Sequence, residues 1–154
     1  MAAPDTAGVV APPPLIFATA FVAGWLLGRV FPWPILPAAI AFPASFVPGI
    51  AGLALAVAAF REMRRARTAV SPYAPTTALV RTGPFAHSRN PLYVALTLLS
   101  LGLALAVNTM WCVLLLLPAL VVLLRGVVAR EEAYLRRCFG EAYRAYCATT
   151  RRWL

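Results

Sequence analysis

The sequence predicts an all-α, polytopic integral membrane protein with about four transmembrane helices and a C-terminal amphipathic cytoplasmic helix. Of its 154 residues, 62% are hydrophobic and only 12% are charged, and the mean hydropathy is +0.79. A soluble domain usually carries about 25% charged residues. The length allows one membrane-embedded domain and no separate Rossmann domain, so any chemistry has to be built at the membrane surface.

The first 60 residues predict a flexible tail and two membrane spans. Residues 1–14 are small, polar or proline, which is typical of a loose terminus. Two spans are predicted within residues 15–60. The first covers residues 15–31 and is followed by the proline-rich PWPILP, which does not continue a regular helix. The second covers residues 42–60, and its small residues favour close contact with another helix.

The second half predicts a polar connection, a helical hairpin and a charged tail. Residues 61–90 form a cytoplasmic connection with six arginines and one glutamate. The apolar stretch that follows would be roughly 50 Å long as one helix, whereas the hydrocarbon core is about 30 Å thick. We therefore place a turn at Asn108–Thr109 and a hairpin over residues 91–128. Residues 129–154 form a cytoplasmic helix and tail, with apolar residues spaced by three and four.

The charge distribution predicts the orientation in the membrane. The net charge is +9, and every arginine except Arg29 lies in the two polar segments that flank the hairpin or, as Arg125 does, near the hairpin's end beside the second of them. The positive-inside rule then places both segments, and the N-terminus, on the cytoplasmic side, in a bacterial inner membrane. Because the charges flank apolar runs, they favour a bilayer partner over nucleic acid. One histidine and three scattered cysteines predict no metal site.

The two polar segments would meet at one membrane surface and form a site there. Gly83–Pro84 is a turn signal, and Asn90–Pro91 is a helix start that exposes free N–H groups to an anion. Glu131 and Glu132 are adjacent at the membrane boundary. An anion pocket, a carboxylate pair and aromatic side chains suit a zwitterionic aromatic ligand such as S-adenosylmethionine. The residues alone do not select this cofactor over others.

Two motifs resemble those of the membrane-embedded methyltransferases that include isoprenylcysteine carboxyl methyltransferase and the phospholipid N-methyltransferases. The first motif, R-x-G-P-[YF]-x-x-x-R-[HN]-P-x-Y, is matched by Arg81, Gly83, Pro84, Phe85, Arg89, Asn90, Pro91 and Tyr93. The second, E-E-x-x-L-x-x-x-F-G-x-x-Y-x-x-Y with a closing basic-aromatic patch, is matched by Glu131, Glu132, Leu135, Phe139, Gly140, Tyr143, Tyr146, Arg151, Arg152 and Trp153. The motifs bracket a hairpin and cover residues 80–154.

The resemblance implies methyl transfer from S-adenosylmethionine to a lipophilic acceptor, either an isoprenylcysteine-like carboxylate or a lipid amine or thiol. It implies catalytic roles for Arg89 and Glu132, and Arg152 as a binding residue for an anionic acceptor. The implied cofactor-binding residues are Gly83, Pro84, Phe85, His87, Arg89, Asn90, Pro91, Tyr93, Glu131 and Glu132. The oligomeric state is not predicted.

Two other functions stay open, and one departure from the family pattern is a reason for the second of them. Asn90 stands where these enzymes usually have a histidine, and His87 is the candidate replacement. The first alternative is an NADPH-dependent membrane reductase related to sterol reductases, which are similar in their final helices. The second is a non-catalytic membrane protein of the same fold. Binding of S-adenosylmethionine or of NADPH would distinguish the three.

Overall fold

The computed structural model describes residues 8–68 and 76–153, and within these ranges the chain is helical. The only β pairing there is an isolated bridge between Ser88 and Arg151. The helices are α1 (Pro13–Val30), α2 (Ala38–Arg65), α3 (Pro91–Ala106), α4 (Met110–Leu123) and α5 (Ala129–Thr149). A 3₁₀ turn at Gly83–Ala86 precedes α3, and a π-helical segment at Leu124–Val128 joins α4 to α5. The predicted all-α fold class is confirmed.

The helices have the length and composition of a polytopic membrane protein. α1, α2 and the continuous helix that contains α4 and α5 are each long and apolar enough to cross a membrane. α3 is also apolar but has 16 residues, which is roughly 24 Å at about 1.5 Å per residue. Large apolar side chains such as Phe42, Val47 and Leu53 are exposed on the outside, as lipid contact requires. In the continuous helix formed by α4 and α5, the charged residues belong to α5, which follows the apolar part.

Two antiparallel helix pairs build the bundle. α1 packs antiparallel to α4. At one end of this pair Val10 N–H donates to the Gly126 carbonyl, and at the other end Met110 N–H donates to the Trp33 carbonyl. α2 packs on α3 at backbone distance: a Cβ on Gly102 would lie 3.0 Å from the nitrogen of Gly49. This contact agrees with the packing role expected for the small residues of the second span.

The Asn108 side chain connects the α3–α4 turn to the α1–α2 turn by hydrogen bonds at one end of the bundle. Its backbone is left-handed, with φ of 49°, in the predicted turn between α3 and α4. Its Oδ1 accepts hydrogen bonds from Ile35 N–H at 3.0 Å and Leu36 N–H at 3.1 Å. Its Nδ2 donates to the Leu36 carbonyl at 2.9 Å. The predicted turn is confirmed, and the side chain also holds the α1–α2 turn, which the sequence did not indicate.

The helix boundaries differ from the expectation at several places, one of which is the start of α2 at Ala38 in place of the predicted residue 42. α1 begins at Pro13, inside the predicted flexible tail, and Val9 is buried against the core because the residues before α1 pair with Gly126 and Arg130. α2 continues to Arg65, past the predicted end at residue 60, because its polar last turn is stabilised by the Glu62–Arg65 ion pair. Residues 1–7 of the predicted tail, residues 69–75 of the predicted connection and residue 154 lie outside the described residues.

The amphipathic helix predicted for the tail is present as α5, with a break near its middle. Its buried residues are Glu132, Tyr134, Tyr143 and Tyr146. Gly140 has φ of 49° and ψ of −120°, a conformation that suits glycine and interrupts the regular helix. The break redirects the last turns of α5, which end at Thr149 before the chain becomes extended.

Candidate functional site

A cavity of about 140 Å³ lies at the arginine-rich end of the bundle, between α5 and the start of α3. Seven of the residues predicted for the site line it: Phe85, Arg89, Asn90, Pro91, Tyr93, Glu131 and Glu132. Residues 76–80 and the end of α2 complete the wall with Met63, Leu79 and Val80. The structure therefore brings together two motifs that are about forty residues apart in the chain.

Glu132 is the centre of charge in this cavity. The residue is 4% exposed, and its carboxylate accepts two hydrogen bonds from Arg152, from Nε at 2.9 Å and from Nη2 at 2.7 Å. Arg89 Nη1 lies 3.3 Å from Oε1, and Arg136 Nη2 lies 3.6 Å from Oε2. A buried carboxylate needs such compensation, because removing it from water is costly. The carboxylate is thus held in place by three guanidinium groups.

Arg89 is fixed by its neighbours but keeps an unused donor. Its backbone N–H donates to the Arg151 carbonyl, and its Nη1 donates to Cys147 Sγ at 2.7 Å. Its Nε is buried and has no hydrogen-bond partner among residues 8–68 and 76–153. An unsatisfied buried donor is costly. This donor at a cavity wall is suited to an anionic or carbonyl-bearing ligand.

Glu131 and Tyr93 form a second polar pair in the wall. The Tyr93 hydroxyl donates to Glu131 Oε1 at 2.7 Å. Burial raises the pKa of Glu131 to about 7, although the Tyr93 hydrogen bond acts in the opposite direction. Such a carboxyl group can take up or release a proton near neutral pH, which is what general acid–base chemistry requires.

The last turns of α5 and the extended residues after it contact the segment that precedes α3. Tyr146 Oη donates to the Phe85 carbonyl at 2.6 Å, and Asn90 Nδ2 donates to the Arg152 carbonyl at 3.0 Å. Asn90 is the N-cap residue of α3, and Pro91 is its first residue, as predicted. The Asn90 side chain makes no capping hydrogen bond, however, because it is engaged with Arg152.

Three predicted cofactor-binding residues lie outside the cavity lining. Gly83 has φ of +59°, and a Cβ there would lie 2.8 Å from Cγ of Glu62. The backbone of Gly83 therefore approaches a side chain of α2 closely, and this contact does not face the cavity. Pro84 follows it in the same 3₁₀ turn, and His87 is exposed at the end of that turn. Their roles in cofactor binding stay predictions.

Three tyrosines of α5 also line the cavity. Tyr134, Tyr143 and Tyr146 are all buried, and they share the cavity with Glu132. Burial and the nearby Glu132 carboxylate raise the pKa of Tyr143, and burial raises the pKa of Tyr146 to about 12. Helical spacing alone did not indicate this, because Tyr134 lies two residues from Glu132 and the break at Gly140 separates Glu132 from Tyr143 and Tyr146.

Fold and site together define an all-helical membrane protein with a carboxylate- and arginine-lined cavity at one end. A family model described as phospholipid methyltransferase matches residues 46–142, which is more than half of the chain. The chain therefore belongs to the phospholipid methyltransferase family, and the resemblance found in the sequence is confirmed. The matched range contains Arg89, Glu131 and Glu132. Comparison with curated proteins and with solved structures gave no match.

Proposed function

We propose that this membrane methyltransferase uses S-adenosylmethionine and acts on a lipophilic acceptor that reaches the cavity from the bilayer. Membership of the family supports methyl transfer at a membrane. The cofactor and the acceptor are those that the family resemblance implies, and the donors and acceptors of the site are compatible with them. The observation that carries the proposal is the convergence of residues 85–93 and Glu131–Glu132 on one cavity.

The donors and acceptors of the cavity fit the functional groups of S-adenosylmethionine. Glu132 would hold its ammonium or ribose hydroxyls, and the free Nε of Arg89 would hold its carboxylate. Phe85, Tyr143 and Tyr146 offer aromatic surface for its adenine ring. When bound, this cofactor supplies an electrophilic methyl group on a sulfonium.

Binding at Glu132 requires an exchange of ion-pair partners. Both of its carboxylate oxygens are engaged by Arg152. The Arg152 side chain is 46% exposed, so it can turn towards solvent at low desolvation cost. Once released, it would be available for an anionic acceptor, which is the role implied for it by the family resemblance.

The chain's contribution to the reaction is alignment, exclusion of water and, for some acceptors, removal of a proton. Direct displacement at a methyl carbon needs the nucleophile, methyl group and leaving group in line. A carboxylate acceptor needs no base. An amine or thiol must first lose a proton, and Glu131, hydrogen-bonded to Tyr93, is the cavity residue best suited to accept it.

The distribution of charge supports a cytoplasmic orientation for this end of the molecule. All arginines except Arg29 belong to residues 61–89 and 125–152, which lie at the cavity end. We propose the bacterial inner membrane as the location, with the cavity facing the cytoplasm.

Calorimetric titration with S-adenosylhomocysteine tests the proposal, with NADPH as the competing ligand. The purified protein would be used in detergent, alongside the variant Glu132→Gln and the matched control Glu141→Gln, which changes an exposed glutamate on the same helix. We expect saturable binding of S-adenosylhomocysteine to wild type and control only. Binding of NADPH alone would favour a reductase, and binding of neither ligand by folded protein would favour a non-catalytic role.

A further inference from the structure

A second cavity lies at the opposite end of the bundle from the methyl-transfer cavity. Its volume is about 400 Å³, and it is formed by the end of α1, the α1–α2 turn and the α3–α4 turn. The side chains that matter here are Trp25, Arg29, Trp33, Asn108 and Thr109. Neither sequence motif contributes to it, so the proposed methyltransferase function does not account for it.

Arg29 is an isolated positive charge at the edge of this cavity. The residue is exposed, and its guanidinium lies 6.0 Å from the centre of the Trp25 ring, a cation–π contact. It pairs with no carboxylate in the part of the chain that the structure describes. The other arginines belong to the segments at the far end. Within residues 8–68 and 76–153, this guanidinium therefore has no carboxylate counter-ion.

Aromatic packing and hydrogen bonds connect the remaining walls of the cavity, and one polar group in these walls has no hydrogen-bond partner among the described residues. Trp33 packs edge-on against Trp111 with ring centres 5.7 Å apart, and Trp111 Nε1 donates to the Phe31 carbonyl. Thr109 lines the cavity and is 5% exposed, yet its Oγ1 has no hydrogen-bond partner within residues 8–68 and 76–153. Thr109 is also the N-cap of α4, where the helix dipole favours negative charge.

We propose that this cavity binds the phosphate of an anionic phospholipid in the leaflet opposite the methyl-transfer cavity. Arg29 supplies the charge, and the tryptophans occupy the interfacial depth that these side chains prefer. A lipid fits better than a soluble anion because the exposed side chains of Leu26 and Phe31 next to Arg29 offer apolar surface to acyl chains. The inference depends on the membrane-embedded fold and not on the cofactor or acceptor.

Lipid retention measured by native mass spectrometry tests this site. Purified protein in detergent would be mixed with equal amounts of phosphatidylglycerol and phosphatidylcholine that carry the same acyl chains. We expect phosphatidylglycerol to be retained about fivefold better, because one arginine near a lipid phosphate contributes about 1 kcal/mol. The variant Arg29→Gln should lose this preference. The control Arg137→Gln, which removes an exposed arginine from α5, should keep it.

Two results would overturn the proposal. Equal retention of both lipids by wild type, or an unchanged preference in Arg29→Gln, would show that no such site exists. Displacement of the lipid by millimolar inorganic phosphate would assign the site to a soluble anion instead. Because Arg29 is exposed, its replacement should leave the melting temperature unchanged, and that measurement excludes unfolding as the cause of lost binding.

Discussion

Arg152 and Glu132 are twenty residues apart in the chain and form a two-point ion pair, with Nε–Oε1 and Nη2–Oε2 distances of 2.9 and 2.7 Å. The pair joins the segment after α5 to the first turn of that helix. Since the same carboxylate also lies 3.3 Å from Arg89, it connects both motifs of the site. Glu132 therefore serves the architecture of the cavity as well as the proposed binding of the cofactor.

Replacing Glu132 by glutamine should lower both stability and ligand affinity. The change leaves Arg89 and Arg152 without their carboxylate, and breaking a buried ion pair costs about 3 kcal/mol. Affinity for S-adenosylhomocysteine should fall at least about tenfold, which corresponds to about 1.4 kcal/mol. Thermal unfolding and calorimetry would measure the two effects. The control Glu141→Gln breaks an exposed pair and should cost less than about 1 kcal/mol. If the two variants lost the same stability and the same affinity, Glu132 would be no more important to the cavity than an exposed glutamate.

The raised pKa of Glu131 predicts a pH-dependent stability. Its pKa is about 7 in the folded protein against 4.5 for a glutamate side chain in water, so between these values the folded state binds the proton more tightly. The free energy of unfolding should therefore fall as the pH rises through that window. Melting temperatures of wild type and Glu131→Gln, measured from pH 4.5 to 8, would show the effect as a difference that changes with pH. Parallel curves would mean that Glu131 keeps an ordinary pKa.

Replacing Asn108 should destabilise the end of the bundle that lies far from the cavity containing Glu132. Asn108→Ala loses three hydrogen bonds and also places alanine in a left-handed conformation, which together cost about 2–4 kcal/mol. Asn108→Gly relieves the backbone and should lie between alanine and wild type. Melting temperatures in detergent separate the two contributions. If both variants melt like wild type, the side chain does not hold the two turns together.

Gly24 and Gly49 make a matched pair for testing the helix contacts. A Cβ at Gly24 would lie 2.7 Å from the Cα of Cys112, whereas a Cβ at Gly49 would meet nothing within 4 Å. Gly24→Ala should push α1 away from α4 and cost about 1–3 kcal/mol. Gly49→Ala should be neutral or stabilising by up to about 1 kcal/mol, because alanine favours helix. Thermal unfolding in detergent compares them, and a reversed order would refute this account of the packing.

The sequence predicted the helices and the convergence of the motifs better than the helix pairing. Hydropathy and length were sufficient to locate the apolar segments and the turn at Asn108. They could not show that α1 packs on α4 and α2 on α3, because lipid-facing and protein-facing sides of these helices are equally apolar. The glycines at 24 and 102 were the available signal, and only their three-dimensional neighbours reveal which helix each contacts.

Within the site, residues close together in a motif did not all reach the cavity. Phe85 lies in the 3₁₀ turn and His87 directly follows that turn, yet Phe85 lines the cavity and His87 is exposed. A 3₁₀ helix turns by about 120° per residue, so residues two apart face different directions. The ion pair of Arg152 with Glu132 was also beyond prediction, because it depends on the extended chain after Thr149 folding back over the start of α3.

The position of Trp153 gives the molecule an optical probe of its own site. This indole follows Arg152 and packs with Tyr93 against the hydrophobic core, and it is the one tryptophan of the chain at this end. A ligand that binds the Glu132 carboxylate in place of Arg152 would release the Arg152 side chain. The environment of the neighbouring Trp153 indole would then change. In a variant whose other three tryptophans are replaced by phenylalanine, the fluorescence of Trp153 would report ligand occupancy of the cavity in real time, without a label.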